Sequence, residues 1–300
     1  MPTENRQPTT ENPLYVWLNH GLVPLAEAGV SVNDRGFLYG DGLFETMRAE
    51  AGQPLFLAEH LARLRQSARF LRLSWPDSFS WSQGLHGLLQ ANGLTGTTAA
   101  IKILLTRGTI PDLGLPSTAA PTLVIYSRPY APPSPEDFAA GWPLATFPER
   151  RSTFLGRHKS LNYLFYLAAR QYALDQGAKE ALILESDGLV SEGSATTLVY
   201  TLNGRYFTPA AASALPSVTL TVLSRYLAQD GHELEAVPTP PDHLRQTQGL
   251  WLLNSLIGLM PVSSWDGNSL PLDPKATLYL QDCLNKAGQQ DLAARCNLEL

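Results

Sequence analysis

Gly156-Arg157-His158-Lys159-Ser160-Leu161-Asn162-Tyr163 is the stretch on which the reading of this chain turns. The chain has only five lysines: Lys102, Lys159, Lys179, Lys275 and Lys286. Lys159 alone sits between an apolar, strand-like run and the start of an amphipathic pattern. That pattern predicts a helix over 160–176, with Ser160 or Asn162 as its cap. A positive charge at a helix N-terminus is unfavourable, so a lysine kept there points toward a function. An amine turned into a cleft loses solvation, its pKa falls, and the neutral form becomes a nucleophile. Taken alone, the residue reads better as a surface lysine at a helix start.

Working outward, short apolar runs alternate with turns. Residues 14–18 and 22–25 read as a hairpin closed by Asn19-His20-Gly21, and 43–48 as a strand with one buried face, ended by the turn at Ala51-Gly52-Gln53. Leu61, Leu64, Ala68 and Leu71 repeat on one face of a helix over 57–73, and a second helix fits 82–90. Strands follow at 100–106 and 122–126. In Asp34-Arg35-Gly36-Phe37-Leu38-Tyr39-Gly40-Asp41-Gly42 three closely spaced glycines mark backbone that bends sharply or approaches something closely. Arg128-Pro129-Tyr130-Ala131-Pro132-Pro133-Ser134-Pro135 is the strongest punctuation, since prolines stiffen the backbone and oppose strand pairing. The second half continues with strands at 181–184, 195–202 and 250–253, hairpin turns at Ser186-Asp187-Gly188 and Asn203-Gly204, and a helix over 218–229. Hairpins mixed with helices imply an α+β fold rather than a doubly wound sheet. The expected organisation is a disordered leader (1–13), a small N-terminal α/β domain (14–127), a linker (128–138) and a larger C-terminal domain (139–300).

The bulk composition excludes more than it assigns. A net charge of −5 with no long basic run argues against nucleic acid as a partner. No apolar run is long enough to span a bilayer, and the polar start lacks an apolar signal core. Cys283 and Cys296 have no CxxC spacing and read as incidental thiols of a reducing compartment, which predicts a cytoplasmic enzyme. His158 has no second His or Cys at ligand spacing, so no metal site is expected. No GxGxxG or P-loop follows a strand.

Five motifs in order carry a resemblance: Asp34-Arg35-Gly36 with Tyr39-Gly40-Asp41-Gly42-Leu43-Phe44-Glu45-Thr46; His60-Leu61-Ala62-Arg63-Leu64 with Ser67; Lys159-Ser160-Leu161-Asn162-Tyr163; Ser191-Glu192-Gly193-Ser194; and Asn254-Ser255 before Met260-Pro261-Val262. Over 14–267 the chain resembles the class IV aminotransferases, the fold-type IV pyridoxal-phosphate enzymes. The resemblance implies two α/β domains with pyridoxal 5'-phosphate in the cleft between them. It implies that Lys159 is the catalytic Schiff-base lysine, that Glu192 bonds the pyridine nitrogen, and that Arg63, Val218, Thr219 and Ser255 receive the phosphate. Tyr163 and Ser194 complete the cofactor set. Tyr39, Thr46, Arg48, Arg107 and Asn254 are the implied substrate residues, and a homodimer acting on a small amino substrate is the implied assembly. The chain departs from many relatives at Thr197, Ser217 and Leu220. If backbone amides hold the phosphate, the last two cost little.

The same cofactor electronics serve several reactions. Asn254-Ser255-Leu256 and Phe44-Glu45-Thr46 resemble 4-amino-4-deoxychorismate lyases, which release pyruvate and form 4-aminobenzoate. A transaminase of D-amino-acid or branched-chain type, or a non-catalytic homologue that binds pyridoxal phosphate, are the alternatives, and the substrate pocket decides among them.

Overall fold

The computed structural model describes residues 14–117 and 120–296. The expected disordered leader lies outside the described residues. The first half builds a six-stranded sheet from β1 (Tyr15–Leu18), β2 (Gly21–Pro24), β3 (Gly42–Glu50), β4 (Gln53–Pro54), β5 (Ala99–Thr106) and β6 (Thr122–Pro129), in the order β2-β1-β6-β5-β3-β4. All its pairings are antiparallel. Short α1 (Arg35–Tyr39) precedes β3, while α2 (Leu57–Phe70) and α3 (Trp81–Ala91) follow β4. Leu43 and Met47 of β3, Leu57 and Leu64 of α2, Leu85, Leu88 and Leu89 of α3, and Ile101, Ile103 and Leu105 of β5 share one core. The period of two in the strands turns Leu43 and Met47 inward and leaves Phe44 and Thr46 on the opposite face.

The second half forms a nine-stranded mixed sheet. Its strands are β7 (Trp142–Thr146), β8 (Glu180–Leu184), β9 (Val190–Gly193), β10 (Thr197–Leu202), β11 (Arg205–Pro209), β12 (Leu234–Val237), β13 (Gly249–Asn254), β14 (Gly258–Trp265) and β15 (Asn268–Ser269). The order is β12-β11-β10-β13-β14-β7-β8-β9, with β15 on β14. The helices are α4 (Pro135–Ala140), α5 (Leu164–Asp175), α6 (Val218–Gln229), α7 (Pro241–Arg245) and α8 (Pro274–Cys296). Both faces of this sheet are covered: along β13, Leu250 and Leu252 enter one core, Trp251 and Leu253 another that includes Leu223 and Leu227 of α6 and Leu280 of α8. A strand buried on both sides reads as a continuous apolar run. The hairpin at Asn203-Gly204 has both turn residues at positive φ, 52° and 74°, as a two-residue hairpin loop of that type requires.

Four expectations change. The helix expected from Ser160 begins at Leu164, and neither expected cap acts as one: Ser160 bridges to Leu43, and the Asn162 amide donates to the Gly40 carbonyl. The expected helix over 57–73 stops at Phe70. The linker is shorter than 128–138. Arg128 and Pro129 still pair with Ala100 and Ala99, and Pro135 starts α4 behind a Ser134/Asp137 capping box, so only 130–134 lie between elements. Helix α8 had no counterpart in the sequence reading. Its largely polar sequence hid the spacing of Leu280, Cys283 and Ala287, which are buried on one face.

Candidate active site

The lysine stretch is held by β3. The Phe44 amide donates to the Lys159 carbonyl (2.8 Å) and the Leu161 amide donates to the Gly42 carbonyl (2.9 Å), so 159–161 pairs with the start of the strand. A Cβ at Gly42 would lie 2.8 Å from both a Leu161 methyl and the Leu105 carbonyl oxygen. The expected close approach therefore happens here, and only glycine permits it. Lys159 Nζ then lies over the Phe44 ring, 4.7 Å from its centroid. Burial lowers its pKa to about 8; the Arg63 charge adds to this, while Glu45 and Glu192 oppose it. Near neutral pH a usable fraction of this amine is uncharged.

Lys159 opens into a cavity of about 270 Å³ between the two sheets, lined among others by Phe44, Arg63, Tyr163, Glu192 and Val218. One end is cationic. Arg63, on α2, donates through Nε and Nη2 to both oxygens of Glu45 (2.8 and 2.6 Å) and through Nη1 to the Pro216 carbonyl (2.7 Å). A guanidinium has five N–H groups, so two remain unspent. His60 Nδ1 lies 2.8 Å from Glu45. Burial pushes the Glu45 carboxyl up, but the Arg63 charge and the bonds from His60 and Arg63 outweigh it and hold it at about 2. The same end receives the start of α6. Ser217 caps that helix by accepting from the Leu220 amide (3.2 Å), and the amides of Val218 and Thr219 make no hydrogen bond among the described residues. Free helix-start amides beside an arginine form an anion site.

The other end is acidic. Glu192, at the end of β9, is 5% exposed. Its Oε1 accepts from the Tyr166 hydroxyl (2.6 Å) and its Oε2 from the Leu215 amide (3.0 Å). Burial pushes its carboxyl up, against these bonds and the charge of Arg151. Tyr163 stands between the two ends. Its ring meets Phe44 edge-on at 5.1 Å, and its hydroxyl donates to the Ser194 carbonyl (2.9 Å). An amine of lowered pKa, an anion cup and a buried carboxylate thus line one cavity. A molecule with an aldehyde, a phosphate and a basic ring nitrogen fits this donor set.

The family model for amino-transferase class IV matches residues 42–265. This chain belongs to the class IV aminotransferases. A Methanocaldococcus jannaschii protein provisionally named a branched-chain-amino-acid aminotransferase is 32% identical over 84% of this chain and 88% of its own length. The bifunctional aminodeoxychorismate lyase / D-amino acid transaminase of Mycobacterium tuberculosis is 26% identical over 83% and 90%. The aminodeoxychorismate lyase of Bacillus subtilis is 27% identical over 82% and 85%. Among solved structures, a Thermoproteus uzoniensis branched-chain aminotransferase superposes with a TM-score of 0.81 at 22% identity, over 94% of this chain and 96% of that one. A hypothetical aminotransferase of Mycobacterium tuberculosis in its PLP-bound form superposes at 0.80 and 24% identity, over 92% and 99%. The mixed α/β architecture with two sheets is that of class IV aminotransferases.

In this class IV aminotransferase the remaining predicted residues separate sharply. Thr46, Ser194, Asn254 and Ser255 line the cavity. The Ser194 hydroxyl is committed to Glu180, however, and the Asn254 side chain holds the 254–257 turn by accepting from the amides of Leu256 and Ile257 (both 2.9 Å). Arg107 is not a substrate residue. It is 0% exposed, and all its donors are spent on Asp41 and on the carbonyls of Leu71, Arg72 and Pro116. Tyr39 is exposed on α1, away from the cavity. Arg48 lines a neighbouring cavity of about 600 Å³ instead, which Thr219 also borders, one residue beyond Val218 in the lysine cavity. His158 lies with Nδ1 3.0 Å from Ser67 Oγ, stacked on Phe70.

The sequence reading quoted Glu45 and His60 within motifs without giving them a role, and assigned none to Lys102, Arg151 and Tyr166. Two of these carried a signal. Glu45 falls between Leu43 and Met47 on the buried face of β3, and His60 falls between Leu57 and Leu64 on the buried stripe of α2; all six are less than 7% exposed. Charged or titratable groups on a core face need partners. Lys102 is paired in register with Thr46 on the cavity face of the first sheet, and its Nζ lies 4.9 Å from the centroid of the ring that also carries Lys159 Nζ. Burial and the charge of Arg128 lower its pKa.

Proposed function

We propose that this class IV aminotransferase is a pyridoxal 5'-phosphate enzyme acting on a small amino substrate with a second carboxylate, and that 4-amino-4-deoxychorismate lyase is the first reading of its reaction. The observation that carries the cofactor reading is one cavity holding a half-buried lysine of lowered pKa between an anion cup and a buried glutamate. Arg63, Val218, Thr219 and Ser255 would hold the phosphate, Tyr163 would reach the ring oxygen once its hydroxyl leaves the Ser194 carbonyl, and Glu192 would face the ring nitrogen. When bound, the cofactor supplies an electron sink for a carbanion beside the substrate nitrogen.

The chain's own residues do the rest. Lys159 Nζ would hold the cofactor at its aldehyde carbon, with loss of water, and as a free amine would take the proton from the substrate carbon. Its pKa near 8 keeps both protonation states within reach at working pH. Glu192, as the carboxylate, would keep a proton on the facing nitrogen; the Tyr166 hydroxyl and the Leu215 amide favour that anion against the burial that pushes its carboxyl up. Phe44 and Tyr163 wall the amine and exclude water. Lys102, beside the same ring as Lys159 though not itself lining the cavity, would add the cationic charge that Arg107 does not and favour a substrate with two carboxylates.

Transamination is the second reading, supported by the name of the Methanocaldococcus jannaschii relative. The deciding assay mixes purified protein with aminodeoxychorismate, and separately with D- and L-amino acids plus 2-oxoglutarate. Pyruvate with 4-aminobenzoate supports the lyase; keto acid from the second mixture alone replaces it with the transaminase. Neither product, together with bound cofactor, would mark a non-catalytic homologue. Lys159→Ala is expected to abolish turnover and the visible absorbance of bound cofactor; retained activity would remove Lys159 from the mechanism.

A homodimer is part of the proposal. Phe37, Leu38 and Tyr39 on α1 are 74%, 49% and 56% exposed, and Leu113 in the loop anchored by Arg35 is 84% exposed. Exposed apolar groups clustered in this way favour a partner surface. An active monomer by light scattering would overturn this.

A further inference from the structure

We propose that Tyr166, braced by Arg151, is a positioning residue that decides where the proton rests between Glu192 and the cofactor's ring nitrogen. The inference rests on the reading of Glu192 given above. Three groups form the brace. The Tyr166 hydroxyl donates to Glu192 Oε1 at 2.6 Å, and Arg151 Nη2 donates to that hydroxyl oxygen at 2.5 Å. Arg151 Nη2 also lies 3.6 Å from Glu192 Oε1, with its guanidinium over the Tyr166 ring at 4.4 Å.

The brace has little room to move. A Cβ at Gly156 would fall 2.6 Å from Arg151 Nη2 and 1.9 Å from the Ser213 carbonyl oxygen, so the backbone three residues before Lys159 packs directly on the guanidinium. Because Arg151 fills one lone pair of the phenol oxygen and holds a positive charge beside it, the phenol O–H is fixed toward Glu192 as a donor. A donor on a carboxylate in a buried site stabilises the anion and lowers its basicity. The shared proton then stays on the ring nitrogen and does not pass to Glu192. With that donor removed, the neutral acid and neutral ring nitrogen gain ground, and the electron sink weakens.

Tyr166→Phe keeps the ring packing against Tyr163 and removes only the hydroxyl. Two readouts separate the brace from a merely structural role. In the apoprotein, the ¹³C carboxylate resonance of Glu192 should titrate about one pH unit or more higher in Tyr166→Phe, as loss of a hydrogen bond to a charged group implies. In the holoprotein with ¹⁵N-labelled pyridoxal phosphate, the ring nitrogen resonance should move toward its unprotonated position. Site-specific replacement of Tyr166 by a fluorinated tyrosine, a stronger donor, should shift both signals the opposite way. An unchanged Glu192 titration in a folded Tyr166→Phe protein overturns the proposal. Glu192→Gln tests the underlying reading separately: if it leaves the ¹⁵N resonance in place, Glu192 does not face the ring nitrogen and the electron-sink assignment fails, whatever Tyr166 does to the carboxyl.

Discussion

Two arginine–carboxylate clusters lie in the same half of the chain, and they do opposite things. Arg107 grips Asp41 with two bonds and three backbone carbonyls with the rest, while Arg35 takes the same carboxylate at 2.7 Å and the carbonyls of Asp112 and Gly114. Arg107 has no N–H left over for a ligand, and Arg35, with two unspent, is buried and does not line the cavity. Arg63 grips Glu45 in the same two-pronged way, yet keeps two N–H groups unspent and borders the cavity. A guanidinium becomes a binding group through the donors its own carboxylate does not consume. The first cluster staples the 107–116 loop to the ends of α1 and α2; the second presents a charge whose position Glu45 and His60 fix.

The comparison can be broken most directly at the staple. Asp41→Ala leaves two buried guanidinium groups without their counter-charge and should cost about 3–5 kcal/mol in urea unfolding, with cofactor affinity unchanged in the protein that remains folded. A raised cofactor Kd there would erase the distinction. Acid titration tests the second cluster. The Glu45 carboxyl lies at about 2 in the folded protein against 4.5 in its absence. A lowered folded pKa stabilises above the unfolded value, so its contribution, about 3 kcal/mol, is present above pH 4.5 and is lost as pH falls toward 2. Glu45→Gln should flatten that limb of the stability curve, and an unchanged limb would mean that Arg63 does not hold the anion. Arg63→Ala should raise the pyridoxal phosphate Kd by about 10- to 100-fold, as loss of charge-assisted bonds worth about 1.5–3 kcal/mol implies. An unaltered Kd assigns the phosphate to the α6 amides alone. The smallest effect is expected at Lys102, an exposed cation. Lys102→Met should raise KM for a dicarboxylic substrate about 3- to 5-fold, in line with a partly exposed ion pair of up to about 1 kcal/mol, with kcat nearly unchanged. An equal effect on a monocarboxylic substrate would deny it a role in recognising the second carboxylate.

Much of the architecture was legible before any coordinates. The alternation in Leu43-Phe44-Glu45-Thr46-Met47 gave β3 and its buried face, the continuous run Leu250-Trp251-Leu252-Leu253 gave a strand covered on both sides, and Asn203-Gly204 gave its hairpin, because each depends on local backbone geometry and on which side chains avoid water. Lys159, Glu192 and Arg63 were legible by motif, and the structure brings all three to one cavity. Arg107 and Arg63 were not distinguishable in this way: each is an arginine near a glycine-rich or helical segment, and hydrogen-bond saturation is a property of what folds around them.

The chain order of residues therefore determined the class of fold, the strand and turn positions, and the choice of Lys159 as the candidate lysine, since period, propensity and motif are written along one dimension. Only the tertiary structure decided which arginine has donors to spare, that Lys102 shares a ring with Lys159, and that Tyr166 reaches Glu192 from 26 residues away. Those outcomes depend on solvent exclusion and on distances between segments remote in sequence, and both exist only once the two sheets have packed.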